Sequence, residues 1–289
     1  MAENSSCSSA SSCSRGSCEG CPSAEAAKAG VRNTAFLEAP NANSNIKHVI
    51  GVVSGKGGVG KSLITTLTAV ELAKQGYKVG ILDSDITGPS IPKGFGLPAG
   101  IDGDDNLMYP AITKKYGIKT ISINLLIEDP TQAVVWRGPV LGSAIKQFYG
   151  DVLWEELDYL LIDMPPGTGD VALTVFQSIP VDGVIIVSTP QDLVKMIVGK
   201  AFSMCNQMNV DILGLVENMA YIKCPKCDEI IYPFGESKLD EVAEFYNLNP
   251  IQSLPLVTEN AKMIDNGLAE EIDTSIIKET ANAIINFEK

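Results

Sequence analysis

The stretch that decides the fold of this chain reads Gly55-Lys56-Gly57-Gly58-Val59-Gly60-Lys61-Ser62. It fits the pattern G-x-x-x-x-G-K-[ST], in which backbone N–H groups and the start of a following helix surround phosphates. The context that this motif needs is predicted here, because an apolar run at 48–53 precedes it and a helical segment follows to about Gln75. We therefore predict a nucleoside triphosphate site rather than a plain glycine-rich turn. The predicted nucleotide contacts in the loop are Gly55, Lys56, Gly57, Gly58, Val59, Gly60, Lys61, Ser62 and Leu63.

The two lysines of this loop have different predicted roles. Lys61 stands where such a loop supplies positive charge to the β- and γ-phosphates, and Ser62 stands where a hydroxyl ligates Mg²⁺. Lys56 is an additional lysine, and it makes the loop resemble the deviant Walker A group of dimeric ATPases, such as septum-site regulators, chromosome-partition ATPases and nitrogenase reductase. The resemblance implies that Lys56 reaches the phosphates bound by a partner chain, so that hydrolysis depends on a dimer.

Strands and helices alternate along most of the chain. Continuous apolar runs, typical of strands covered on both faces, occur at 48–53, 78–82, 159–162, 184–188 and 212–216. Helices are predicted after the loop, at 193–208, and at 275–287, where apolar residues recur at helical spacing. Such alternation favours parallel βαβ units. We predict an α/β fold, a P-loop NTPase domain at 45–289 with a mostly parallel sheet flanked by helices on both faces, after a disordered, cysteine-containing tail at 1–44.

Acidic residues end two of the predicted strands. Asp83 and Asp85 follow the second strand, and Asp163 follows the run 159–162. Carboxylates at strand ends beside a phosphate loop suit Mg²⁺ binding and the positioning of water. Asp163 is predicted to hold Mg²⁺ through water, and Asp83 is predicted to support the metal shell. By resemblance, Asp85 belongs to switch I and orients the attacking water, and residues 165–170 form switch II. The predicted Mg²⁺ site comprises Ser62, Asp83, Asp85 and Asp163, and the predicted catalytic residues are Lys56, Lys61 and Asp85.

Asn218 follows the predicted strand 212–216. By resemblance it is the asparagine that contacts adenine in this group of ATPases, and a turn residue is the alternative. The chain contains no guanine-reading N-K-x-D sequence, so the resemblance implies ATP as the nucleotide.

The composition limits the classes of function. The net charge is −13 and the pI is about 4.6, whereas nucleic-acid binders usually present a basic face. No apolar run reaches the ~18 residues of a membrane span, and the N-terminus lacks the apolar segment of a signal peptide. We expect a cytoplasmic protein with neither nucleic acid nor membrane as partner. In that compartment seven cysteines indicate metal or redox chemistry.

Two cysteines form the sequence Cys224-Pro225-Lys226-Cys227. One such pair offers two thiolates, while zinc or a [4Fe–4S] cluster usually takes four. Three arrangements remain open: two chains each donate a pair, cysteines of the tail complete the site, or the pair is a redox dithiol. A two-fold dimer axis would double the pair.

From about residue 46 to its end, the chain resembles the Mrp/ApbC family of iron–sulfur cluster carrier ATPases. The matching segments are 55–62, 83–90, 136–139, 163–170, 189–192 and Asn218-Met219 together with Cys224 and Cys227. The resemblance implies a homodimer whose paired cysteines bridge a labile [4Fe–4S] cluster, which is then passed to apo iron–sulfur proteins. A structural zinc site or idle surface thiols are the alternatives for the pair.

The other five cysteines are Cys7, Cys13, Cys18, Cys21 and Cys205. Three of them give the tail a C-x4-C-x2-C spacing like that of plant-type ferredoxins, so Cys13, Cys18 and Cys21 are candidate cluster ligands. Eukaryotic relatives carry a four-cysteine motif that ends in C-x2-C-x5-C, and this chain departs from it at Asn4 and Ala27. Replacement ligands at Cys7 or Cys13, or transient iron binding, remain open. Cys205, in the predicted helix 193–208, is expected to be buried.

The predicted function is that of an ATP-hydrolysing carrier whose γ-phosphate orders switch loops and thereby controls retention of a cluster. A positioning ATPase of the septum-site or partition type is the main alternative. Its membrane-acting members use a basic amphipathic C-terminal helix, whereas here Lys278 and Lys289 stand beside Glu279 and Glu288. An electron-delivering reductase and a zinc-stabilised dimeric ATPase are further alternatives.

Overall fold

The computed structural model describes residues 36–85, 90–104, 106–126, 138–191 and 193–288. Within these ranges strands and helices alternate, as predicted. The strands are β1 (Asn45–Val53), β2 (Val79–Asp83), β3 (Ala111–Ile112), β4 (Lys119–Ser122), β5 (Glu156–Asp163), β6 (Gly183–Ser188), β7 (Asp211–Lys223), β8 (Ile230–Ile231) and β9 (Pro250–Pro255). The helices are α1 (Lys61–Lys74), α2 (Ile91–Gly94), α3 (Gly138–Gly150), α4 (Asp170–Ser178), α5 (Val194–Gln207), α6 (Leu239–Tyr246), α7 (Thr258–Asp265) and α8 (Lys278–Ile285).

The central sheet is mostly parallel, which confirms the predicted fold class. Its strand order is β3-β4-β2-β5-β1-β6-β7, with β9 on the free side of β7. Strand β3 is antiparallel to β4, and β8 pairs antiparallel with the end of β7, while the other described pairs are parallel. The carboxyl ends of β1, β2 and β5 therefore lie side by side, where ligands bind in open α/β sheets.

Two apolar clusters cover the two faces of this sheet. Successive side chains of a strand point to opposite faces, and in β1 Val49 and Val53 join one cluster while Ile50 and Val52 join the other. Helices α3, α4 and α5 pack on the first face, and α1 and α8 pack on the second. The apolar runs of the sequence are thus explained by strands that are buried on both sides, as predicted.

Strand β7 is longer than its apolar run indicated. It pairs with β6 as far as Ser188↔Glu217, and its last six residues continue beyond the carboxyl end of β6. Glu217 is buried, and its carboxylate accepts hydrogen bonds from the Ser237 hydroxyl at 2.5 Å, the Lys238 N–H at 3.0 Å and the Ser253 hydroxyl at 3.1 Å. The sequence prediction ended at 216 because it could not foresee these donors, which allow the strand to continue through a buried acidic residue.

The C-terminal segment is helical over a shorter range than predicted. A 3₁₀ turn at Thr274–Ile277 precedes α8, and its start is set by the Asp273 carboxylate, which accepts the Ser275 N–H at 3.0 Å. The buried Thr274 hydroxyl donates to the carboxylate of Glu71 in α1 at 2.5 Å. This contact fastens the end of the chain to the helix that follows the glycine loop.

Residues 36–44, which the sequence analysis assigned to the tail, contact the domain. The Glu38 N–H donates to the Ser178 carbonyl at 2.7 Å, and the Asn41 side chain donates to the Gly150 and Val152 carbonyls at 3.1 and 2.7 Å. The cysteines at 7, 13, 18 and 21 lie outside the described residues.

The buried bond between Thr274 and Glu71 gives a test of the packing. Thr274→Val keeps the shape of the side chain and removes its hydroxyl, so the buried carboxylate of Glu71 loses a hydrogen-bond donor. We expect the free energy of unfolding to fall by about 1–3 kcal/mol, measured by denaturant titration. Thr274→Ser keeps the hydroxyl and serves as the control. Equal unfolding midpoints for the two variants would contradict this role of the hydroxyl.

Candidate functional site

The glycine loop leaves the N-terminus of α1 without a side-chain cap. Gly60 precedes the helix with φ 81°, and Gly58 has φ 79°, so both occupy the left-handed region that favours glycine. No side chain accepts a hydrogen bond at the N-cap, and the first turn contains no acidic residue. Uncapped N–H groups at the positive end of a helix dipole attract an anion. The local structure is therefore suited to phosphate.

The Asp163 carboxylate, at the end of β5, collects three donors from the first turns of α1. Its Oδ1 lies 2.7 Å from the Lys61 ammonium and accepts the Thr65 hydroxyl at 2.8 Å, while its Oδ2 accepts the Ser62 hydroxyl at 2.6 Å. Asp163 is fully buried, and Lys61 is only 5% exposed. The two charges thus compensate each other away from water. The structure brings together the lysine, the hydroxyl and the strand-end acid that the sequence singled out.

Two further carboxylates lie beside this ion pair. Asp85 Oδ2 is 3.6 Å from Lys61 Nζ. Asp83 is buried and accepts hydrogen bonds from the Ser122 hydroxyl at 3.0 Å and from the Asp85 N–H at 3.1 Å. Burial first, and then the negative charge of Asp163, raise the pKa of Asp83 well above its usual range. Carboxylate and hydroxyl oxygens are the ligands that Mg²⁺ prefers, so the chemistry of this donor set fits that ion.

A cavity of about 360 Å³ opens between the glycine loop and α7. Its volume lies in the range of small-molecule sites. The loop side is lined by Gly57, Gly58, Val59, Gly60, Lys61, Ser62 and Leu63, and Asp85 also faces the cavity. The opposite wall contains Ala261, Ile264 and Asp265 of α7. Sequence reasoning missed this wall, because α7 carries no motif and reaches the loop only through the tertiary fold.

Asn218 lies inside β7, so the alternative of a turn residue is wrong. Its side chain is buried and donates to the Val59 carbonyl in the glycine loop at 2.9 Å. A Cβ atom added at Gly60 would overlap the Asn218 amide nitrogen. Asn218 therefore braces the glycine loop, through its hydrogen bond to Val59 and its close packing against Gly60. Contact with adenine, the role implied by resemblance, remains a prediction.

Lys56 does not point into this cavity. Its side chain is exposed, and its ammonium donates to the Gln191 side-chain carbonyl at 2.8 Å. Together these residues line a separate depression with Leu193, Met196 and Lys200. Leu193 and Met196 are 61% and 53% exposed. Within one chain, the additional lysine is thus held away from the cavity that Lys61 lines.

The cysteine pair lies beyond the last residue of β7. Cys224 is half-buried and Cys227 is exposed, and both are free thiols. A tight turn places them together, since the Asp228 N–H donates to the Cys224 carbonyl at 3.0 Å and the Cys224 N–H donates to the Glu229 carbonyl at 2.9 Å. Hydrogen bonds from the Lys226 N–H, the Cys227 thiol and the Cys227 N–H lower the pKa of Cys224. A lowered pKa favours the thiolate, which is the form that binds metals.

One chain does not provide a complete metal site from the part that the structure describes. No group of three or more His, Cys, Asp or Glu residues there is arranged to hold a metal ion. This includes Asp83, Asp85 and Asp163, whose oxygens are of the chemical kind that Mg²⁺ prefers but do not form a complete site by themselves. Cys205 is buried in α5, as expected, and burial raises the pKa of its thiol to about 12. Within one chain, the pair Cys224 and Cys227 therefore offers at most two thiolates to a metal.

Some predicted positions lie outside the described residues. These are 86–89 of the switch I segment, 136–137, 192 and the four cysteines of the tail. Among the described residues, every helix is too short or too polar to span a bilayer.

Comparison with known proteins identifies relatives over nearly the whole domain. The family model of ParA, described as NUBPL iron-transfer P-loop NTPase, matches residues 45–287. The iron–sulfur cluster carrier protein of Clostridium perfringens is 45% identical over 279 residues, 94% of each chain. A nucleotide-binding protein of Archaeoglobus fulgidus, solved with ADP, is 47% identical with a TM-score of 0.70, and the match covers 78% of this chain and 88% of that one. The cell division protein MinD of Aquifex aeolicus has a similar fold at 20% identity, with a TM-score of 0.56 and coverages of 84% and 98%.

The brace on the glycine loop can be tested with two matched glycine variants. Gly58→Ala and Gly60→Ala both place a side chain in the left-handed region, at about 1–2 kcal/mol each. A Cβ atom at Gly58 meets nothing within 4 Å, whereas one at Gly60 displaces Asn218. We expect Gly60→Ala to lower the free energy of unfolding by about 1–3 kcal/mol more than Gly58→Ala.

A double variant tests the cause of that difference. In an Asn218→Ala background, the extra cost of Gly60→Ala should shrink, because the displaced amide is gone. Denaturant titration of Gly58→Ala and Gly60→Ala, each alone and each combined with Asn218→Ala, measures the extra cost in both backgrounds. An unchanged extra cost in this background would show that Asn218 does not produce it.

Proposed function

The chain belongs to the ParA family of NUBPL iron-transfer P-loop NTPases, and we propose that it is an ATP-dependent carrier that holds a [4Fe–4S] cluster between two copies of itself and passes it to apo iron–sulfur proteins. The observation that carries this proposal is the pair of free thiols, half-buried Cys224 and exposed Cys227, that follows β7, the strand whose Asn218 braces the glycine loop. The name of the Clostridium perfringens relative, iron–sulfur cluster carrier protein, supports the choice of cargo.

The glycine loop and the start of α1 are proposed to hold the phosphates of ATP. Lys61 would turn from Asp163 toward the β- and γ-phosphates. The Ser62 hydroxyl would give up its hydrogen bond to Asp163 and ligate Mg²⁺ instead. Bound Mg²⁺ supplies a Lewis acid that offsets the charge on the phosphate oxygens. Asp163 and Asp85 then hold and orient water, with Asp83 behind them. The Archaeoglobus fulgidus protein solved with ADP supports a nucleotide in this cavity.

Hydrolysis is proposed to need Lys56 from a second copy. In one chain the Lys56 ammonium is held by Gln191 in a depression separate from the cavity. A two-fold dimer that joins the two loops would place each Lys56 beside the nucleotide of the other chain. A cation added at the γ-phosphate stabilises the charge of the transition state. Turnover of ATP would then report that the dimer has formed.

Strand β7 is proposed to link the nucleotide to the cysteines. Asn218 contacts the glycine loop through the Val59 carbonyl, and Cys224 directly follows the end of the same strand. Glu217, the residue directly before Asn218, anchors β7 to Ser237 and Lys238, which follow the cysteine turn. A nucleotide-dependent shift of the loop would therefore reach the spacing of the thiols through hydrogen-bonded backbone.

Two other functions use the same fold. A positioning ATPase is supported by the likeness to MinD, but at 20% identity that likeness shows the fold alone, and positioning gives the thiol pair no task. A dimeric ATPase stabilised by zinc is favoured by the same free thiols of Cys224 and Cys227, because two chains would together offer the four thiolates that a structural zinc site takes. We place the protein in the cytoplasm, where an exposed thiol such as Cys227 stays reduced.

The cargo is tested by anaerobic reconstitution with iron and sulfide. The wild-type chain should bind about two irons and two sulfides more than Cys224→Ala/Cys227→Ala, because a dimer shares one four-iron cluster. The control Cys205→Ala changes a buried thiol and should bind as the wild type does. Zinc in place of iron, or iron that survives the double variant, would contradict a cluster at this pair.

The action of Lys56 across the dimer is tested by mixing two inactive variants. Lys56→Ala and Asp85→Asn should each lower ATP turnover at least about ten-fold. An equimolar mixture should recover about a quarter of wild-type turnover, since half of the dimers then contain one intact site of two. If Lys56 served the nucleotide of its own chain, no mixed dimer would contain an intact site, and the mixture would stay inactive.

A further inference from the structure

The cysteine pair sits on a projecting hairpin, which we define as residues 222–235. The hairpin consists of the end of β7, the turn with both thiols, and β8, with Ile222 opposite Ile231 and Lys223 opposite Ile230. Every residue from 225 to 237 is exposed. Because β7 has already passed the end of β6, the hairpin stands beyond the carboxyl edge of the sheet, the edge at which the glycine loop also lies.

The hairpin is apolar as well as exposed. Ile230, Ile231, Tyr232 and Phe234 are 41%, 49%, 48% and 42% exposed. Successive side chains of a strand point to opposite faces, so the partial exposure of both Ile230 and Ile231 shows that neither face of β8 is fully covered by the domain. Apolar side chains clustered on a surface mark an interaction site, whereas single exposed ones need no explanation. These four residues therefore make the hairpin a candidate interaction surface.

The cysteines between the two arms of the hairpin indicate which partner this surface takes. Cys224 and Cys227 provide two thiolates, and a four-coordinate metal or cluster site needs a second set. A second copy of the chain brings a second pair, and a two-fold axis sets the same apolar residues against each other. Whatever completes the site must contact the residues that flank it.

The charges of the hairpin also suit a second copy. The whole chain carries a net charge of −13, which opposes self-association. The hairpin is locally neutral, because Lys223 and Lys226 balance Asp228 and Glu229, and Lys223 forms an ion pair with Asp228 at 3.0 Å. Contact through this segment therefore brings no net charge of like sign together at the contact itself.

We propose that Ile230, Ile231, Tyr232 and Phe234 form the contact by which a second copy of this chain covers the Cys224–Cys227 pair. The inference rests on the proposed function and adds to it the surface that closes over the shared metal site. Apolar side chains packed around the four thiolates exclude water and chelators from the metal. The hairpin thus both joins the two copies and determines how readily the cargo is lost.

The test compares two pairs of exposed apolar residues in the full-length chain. Tyr232→Ser/Phe234→Ser removes aromatic side chains from the hairpin and leaves both cysteines in place. Ile112→Ser/Leu268→Ser removes similarly exposed apolar side chains far along the chain from the hairpin and serves as the control. After anaerobic reconstitution with iron and sulfide under reducing conditions, sedimentation gives the dimer fraction, and a ferrous chelator gives the rate of iron loss.

We expect the hairpin variant to dimerise at least about ten-fold more weakly and to lose iron to the chelator at least about ten-fold faster than the wild type, while the control matches the wild type. Unchanged thermal unfolding shows that the variant is folded. Wild-type behaviour of the hairpin variant in both assays would overturn the inference. Loss of cluster transfer to an apo-protein with an intact dimer would also overturn it, because the hairpin would then serve a client. Failure of the wild type itself to bind iron at Cys224 and Cys227 would refute the proposed function instead.

Discussion

The buried carboxylate of Asp163 holds the functional edge of this molecule together. It ends β5, and its Oδ1 binds the Lys61 ammonium at 2.7 Å and accepts the Thr65 hydroxyl, while its Oδ2 accepts the Ser62 hydroxyl. Removing one partner of such a buried pair typically costs about 3–5 kcal/mol, because the other charge is left unpaired. The first turn of α1 is therefore fixed against the sheet before any ligand arrives. Lys61 and Ser62, the residues of the glycine loop that the sequence assigned to phosphate and metal, are thus both bound to Asp163.

The predictions that succeeded depend on signals that are local in the sequence. The glycine loop, the apolar strands and the acid at the end of β5 each occupy a short segment, and the parallel sheet brings their ends together. The features that the sequence did not predict depend on contacts with residues far away along the chain. Strand β7 continues past residue 216 because Ser237, Lys238 and Ser253 satisfy Glu217. The α7 wall of the cavity likewise depends on packing between segments about 200 residues apart along the chain, which no motif encodes.

The fold by itself does not assign the function. At 20% identity the likeness to MinD shows that a similar fold occurs in a cell division protein, and a shared fold supports many functions. The chemistry of this chain has to be read from its own residues: β7 extends beyond the end of β6 and is followed by two thiols and an apolar hairpin. The hairpin lies at the edge where the nucleotide cavity opens, so that one interface between two copies can include both sites.

If nucleotide and metal are coupled along β7, the coupling acts in both directions. A nucleotide that changes the spacing of the thiols changes the affinity for the cluster, and thermodynamic linkage requires the cluster to change the affinity for the nucleotide by the same factor. The connection is short, because Asn218 contacts the glycine loop and Cys224 lies only six positions after Asn218 in the chain. A loaded carrier would then differ from an empty one at the cavity as well as at the hairpin. The nucleotide state and the cargo state cannot be set independently in such a molecule.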